Sequence, residues 1–148
     1  MGGLALRVLA ATARKGAAAR PCERFPPGAV SVERMEPLYR EAARIGSILA
    51  ADATSDSLLT SKASFHSEIA TARTRRRSRD DFAFVTRLRW AEQWIEIGLL
   101  SAGVGGESAR SFRRALDMIE EANRVFTGEA SPGCEPPETE LPPVVRES

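Results

Sequence analysis

With 148 residues, 43% of them hydrophobic and 28% charged, the chain suits one small folded domain and excludes both a wholly disordered polymer and a large multidomain enzyme. Lys plus Arg total 21 against 20 for Asp plus Glu, so the formal charge of +1 gives no global argument for nucleic acid or an acidic substrate. Cys22 and Cys134 permit one disulfide, but two cysteines do not make a stapled secreted scaffold or a zinc site of three or four thiolates. Both lie in Pro- and Gly-containing segments that read as peripheral.

The first 22 residues hold Arg7, Arg14, Lys15 and Arg20 and no acidic side chain, while Leu4, Leu6, Val8 and Leu9 supply an apolar surface. A basic, amphipathic helix without acids is what a mitochondrial presequence requires. Its apolar run is too short and too broken by charge to span a membrane, and it lacks the uninterrupted apolar core of a secretory signal. An Ala-rich leader without targeting function and a plastid signal are the alternatives. The expected location is the mitochondrion, in the matrix or on a matrix-facing complex, with a soluble cytoplasmic location as the alternative. Pro21, Pro26, Pro27 and Gly28 then interrupt helical continuity, so residues 1–31 read as presequence and linker and residues 32–128 as the body. Residues 129–148, rich in Glu and Pro, read as a solvated, extended acidic tail.

Within the body, Pro37 suits the opening turn of a helix over residues 36–51, with Leu38, Ala42, Ile45 and Leu49 on one stripe. A second helix, capped by Ser55 or Asp56, lines up Leu58, Phe65, Ile69 and Ala72. SRDDF opens a third, from Asp80 to Ala102, whose early acids suit the exposed amide end. Its apolar surface is broad: Phe84, Leu88, Ala91, Ile95 and Leu99 on one side, widened by Phe82, Trp90, Trp94 and Ile97. A fourth helix places Ala109, Phe112, Leu116, Ile119, Asn123 and Phe126 along one face and stops at Gly128. Sustained strand alternation is scarce. The expected fold is therefore all-α, a small helical bundle or short helical array of about four body helices.

Arg73, Arg75, Arg76, Arg77 and Arg79 form the strongest charge cluster, able to hold phosphate or carboxylate oxygens of RNA, an anionic lipid or an acidic partner, or to serve as a solvated helix end. RRRS at 75–78 also offers Ser78 as a phosphorylation site for a basophilic kinase. Trp90 and Trp94, four residues apart, can fill the core or anchor a partner. His66, the single histidine, reads as structural or solvent-facing. Dinucleotide, phosphate-loop, metalloprotease and nucleophile-elbow motifs are missing, and adjacent acids such as Asp80–Asp81 and Glu120–Glu121 diverge on a helix. The sequence thus points to a noncatalytic protein with no catalytic residue, cofactor or metal assigned.

Leu38-Tyr39-Arg40 resembles the signature of the mitochondrial LYR family of small helical assembly factors and accessory subunits. That resemblance, which covers about residues 35–76, implies helix packing for Leu38 and Tyr39, a charged contact for Arg40 and a downstream partner or acyl-chain surface at Phe65, with Phe82 as the second candidate. It also implies an acylated acyl carrier protein as one partner. The continuation EAARIGSILAADA departs from the family's basic, leucine-rich pattern, and four body helices replace the usual three. A second resemblance lies in AEQWIEIG with Phe112 and Ala115, which looks like one tetratricopeptide hairpin in which Trp94, Ile97 and Gly98 close the first helix on the second. The expectation from all this is an accessory or assembly protein of a mitochondrial complex acting through helical contacts; the alternative is an RNA- or ribosome-associated structural protein using its arginines.

Overall fold

The computed structural model describes residues 21–51, 55–101, 106–129 and 141–142. The leader, most of the acidic tail and Cys134 lie outside them. A short 3-10 helix at Pro21–Arg24 precedes four α-helices: α1 at Val32–Ala50, α2 at Ser55–Arg73, α3 at Arg79–Leu100 and α4 at Glu107–Thr127. Each packs against its neighbours in sequence and α4 returns to α1, closing a four-helix bundle, with no strand among the described residues. Short connections make successive helices antiparallel. On the α2/α3 side, Lys62 meets Glu96 and His66 meets Glu92, so residue numbers run in opposite directions.

The core follows the expected stripes on the first two helices. Leu38, Ala42, Ile45 and Leu49 of α1 and Leu58, Phe65, Ile69 and Ala72 of α2 are all buried. α3 is buried on most of its circumference from Asp81 to Leu88, in keeping with its broad apolar surface. On α4 the structure corrects the reading. The innermost line is Ser111, Ala115, Met118, Ala122 and Val125, with Ile119 beside it. Phe112, Leu116, Asn123 and Phe126 form a half-buried shoulder, and Ala109 is exposed. Small side chains hold this inner line because α4 makes its most extensive contact with α3, and close approach of two helices favours Ala and Ser where the backbones meet.

The same close approach explains Gly98. A Cβ there would overlap the Phe112 ring, so glycine is what admits that ring to the α3/α4 seam. Gly98→Ala is expected to destabilise the fold by about 2 kcal/mol, because overpacking a fixed seam forces the ring from its rotamer. Urea unfolding checks this; an unchanged midpoint would mean that the ring moves freely.

The helix ends also differ from expectation in informative ways. α1 starts at Val32, a turn and a half before Pro37, because the backbone N–H of its N-cap Ser31 donates to Asp81 Oδ1 at 2.9 Å. α2 begins at Ser55, so the position that caps it falls outside the described residues. α3 opens with a capping box: Ser78 Oγ accepts from Asp81 N at 3.1 Å while the Asp81 carboxylate accepts from Ser78 N at 3.2 Å. α3 ends at Leu100, with Ser101 as its C-cap. α4 stops where expected, at Gly128, with φ of 82° in the left-handed region.

Residues 22–31, read as linker, belong to the folded body. They form a strap across the start of α3. Arg79 N donates to Pro26 O at 2.9 Å, Ser78 Oγ donates to Ala29 O at 2.9 Å, and the Phe25 ring lies 5.6 Å from that of Phe82. Cys22 is fully buried and disulfide-bonded rather than peripheral. At the other end, half-buried Leu141 packs against the core and Pro142 is buried, so the tail at this point lies on the body instead of extending into solvent. No helix among the described residues is long and apolar enough to cross a membrane.

Candidate functional site

The arginine cluster does not act as one patch. Its five members separate because the chain turns between α2 and α3. Arg79, the first residue of α3, turns back and donates from Nε to Phe25 O at 2.9 Å, which engages it in holding the strap. Arg77 is exposed, and its backbone N–H donates to Asp81 Oδ2 at 2.8 Å. Arg75 is exposed and offers its carbonyl to Arg34 Nε at 3.1 Å. Arg73 and Arg76 converge instead with Arg89 of α3, a residue outside the expected cluster, on a pocket of about 300 Å³ whose walls include Phe82, Val85, Thr86 and Trp90.

This pocket is electropositive by construction. Arg76 lies over two rings, 5.3 Å from the Phe25 centroid and 5.0 Å from that of Phe82, and its Nε donates to Arg73 O at 3.0 Å. Arg89 lies 5.5 Å over the Trp90 ring. Burial, then the positive charges of Arg73 and Arg89, lowers the pKa of Arg76 below the ordinary guanidinium value. Burial and Arg73 do the same to Arg89, while Glu92 acts against them. Both groups keep their charge at neutral pH, so the shifts register repulsion and desolvation that an arriving anion would relieve. Among the described residues none of the three guanidinium groups is ion-paired. The buried Trp90 indole N–H, in the same wall, has no acceptor among them. An oxygen supplied by a ligand would recover about 1–3 kcal/mol of desolvation at such a donor.

The remaining candidate residues have mostly structural positions. Leu38 and Phe65 are core side chains, so Phe65 has no surface to offer a partner in this fold. Tyr39 is half-buried and stacks on Phe126, with centroids 4.0 Å apart. Arg40 is exposed and pairs with Glu36 one turn away at 3.1 Å. Trp90 and Trp94 are buried, the latter beneath Arg114 at 5.7 Å. Ser78 cannot serve a kinase while the chain is folded: its side chain is buried, accepts from Asp81 N and donates to Ala29 O. A phosphate there would break both bonds and the cap.

His66 meets Glu92 of α3 at 2.6 Å rather than its sequence neighbours Ser64 or Glu68, and its side chain is 71% exposed. No group of three or more His, Cys, Asp or Glu among the described residues could hold a metal ion. Compared with protein-family models, with curated proteins and with solved structures, the chain matches none.

Proposed function

We propose that this chain is a noncatalytic accessory protein that holds an acidic segment of a larger assembly through Arg73, Arg76 and Arg89. The observation that carries this reading is three convergent guanidinium groups, two of them partly buried, without an ion-pair partner among the described residues. Maintaining such mutual repulsion is unfavourable for a free protein, and a bound carboxylate or phosphate turns it into attraction. A mitochondrial complex is the setting that the basic leader supports, and the LYR resemblance adds an acylated acyl carrier protein to the candidate partners.

RNA is the alternative ligand for these charges. The geometry favours protein, because Phe82 and Trp90 are buried within the pocket wall and offer no open face on which a base can stack. The test is a titration of the full chain with a glutamate-rich peptide and with single-stranded RNA of matched charge, followed by tryptophan fluorescence. Saturable peptide binding, weakened about tenfold by Arg89→Gln, is expected. Tighter binding of RNA, or an Arg89→Gln variant that binds the peptide as well as the parent, would overturn the reading.

A further inference from the structure

The arginine pocket is one end of a longer surface. On α2, Leu59, Ala63, His66, Ala70 and Arg73 follow one another at three- and four-residue steps, and all are exposed. Such spacing places them on one face. On α3 the facing line runs through Arg89, Gln93, Ile97 and Leu100. Between the two helices, beyond the arginines, lies a second concavity of about 720 Å³.

The seam changes character along its length. At the α2 C-terminal end it carries the three arginines. At the other end Leu59 is 57% and Leu100 81% exposed, with Ala63 and Ile97 beside them. The two concavities follow one another along α3, where Arg89 and Trp90 of the first are succeeded within one turn by Glu92 and Gln93 of the second. His66–Glu92 and Lys62–Glu96 fasten α2 to α3 along the floor of this second concavity, whose walls they share with Leu59, Ala63, Ile97 and Leu100. From Leu59 to Arg73 the helical rise gives about 21 Å, or four turns.

We infer that this seam is the docking groove for an amphipathic helix of a partner, about four turns long, with carboxylates at the arginine end and leucine-like side chains between Leu59 and Leu100. This rests on the anion-binding reading and adds the apolar half of the contact. Charge complementarity selects the acidic end. A helix is selected over an extended peptide because the groove walls are themselves helices, whose backbone groups are already hydrogen-bonded. An extended segment would lay unpaired amides on apolar side chains, whereas a helix satisfies its own. A second copy of the chain fits poorly. Two-fold packing of antiparallel seams would set each arginine cluster against the other copy's leucines, and parallel packing would oppose arginine to arginine.

Three synthetic peptides test this against the full chain by fluorescence anisotropy: a four-turn helix with a leucine stripe and glutamates in one end turn, the same composition with the stripe scrambled, and a short glutamate peptide. The striped helix is expected to bind at least about tenfold more tightly than the others, and Leu100→Ser and Arg89→Gln each to weaken it about tenfold. Leu100 is solvent-facing, so its replacement leaves the fold intact. Equal binding of all three peptides, or loss with Arg89→Gln alone, would overturn the groove while leaving the anion pocket. Binding by none would overturn both. Concentration-dependent self-association abolished by Leu100→Ser would assign the seam to a second copy and overturn the partner helix.

Discussion

Asp81→Ala is expected to remove about 4 kcal/mol of stability, an effect on the scale of truncating a large core side chain. The Asp81 carboxylate is 0% exposed and gathers three backbone N–H groups: Ser31 at 2.9 Å, Arg77 at 2.8 Å and Ser78 at 3.2 Å. Arg34 adds a longer charged contact at 3.4 Å. One side chain thereby completes the α3 capping box, fixes the α2/α3 turn and anchors the start of α1. Each buried amide left without an acceptor costs about 1–3 kcal/mol, and these costs overlap because the strap loosens as a unit. Asp81→Asn keeps one acceptor oxygen and is expected to lose about half as much. Urea unfolding reads both, and hydrogen exchange at Ser31 separates strap release from loss of the cap. An alanine variant within about 0.5 kcal/mol of the parent, as at an ordinary surface site, would remove Asp81 from this role.

Glu121→Ala is expected to cost about 3 kcal/mol through a different mechanism. Arg87 projects into the α3/α4 interface with 2% of its side chain exposed, and its Nε donates to Glu121 Oε1 at 2.6 Å. A second nitrogen donates to Ala83 O at 3.2 Å. Removing the carboxylate leaves a guanidinium charge desolvated, and the penalty comes from that remaining charge more than from the lost attraction. The double substitution Arg87→Met with Glu121→Leu is therefore expected to recover most of the loss, since both charges go together and apolar volume replaces them. Thermal unfolding of the two single variants and the double completes the cycle. A double variant as unstable as Glu121→Ala would show that shape, not charge, governs this seam.

The parts legible in the sequence were those carried by large apolar side chains at helical spacing. Leu38, Ile45 and Leu49, or Phe65 and Ile69, declare a face because each is both hydrophobic and bulky. Most of the inner line of α4 escaped for the opposite reason: Ser111 and Ala122 are inside because they are small, and a reading weighted by hydrophobicity follows Phe112 and Leu116 to the shoulder, with only Ala115 marked as a packing position. The strap was hidden because prolines and a glycine look like linker, while its order comes from donors and acceptors some 50 residues further along the chain. At the site, Arg73 and Arg76 were visible as part of a run. Arg89 was not, although arginines at 87 and 89 in a largely apolar helix were a usable signal. Which arginines converge depends on the turn between α2 and α3, and composition carries no record of that.

The buried sulfur of Cys22 links this architecture to the chemistry of its surroundings. A disulfide persists where thiols are not continuously returned to the reduced state, as they are in cytosol. With the bond in place, the strap over α3 is covalently anchored as well as hydrogen-bonded. In a reducing compartment the same chain would depend on the Asp81, Ser78 and Arg79 hydrogen bonds and the Phe25 ring contacts to keep that strap seated. Redox state therefore becomes a determinant of stability: reducing the Cys22 bond leaves the same fold with a strap held by noncovalent contacts only.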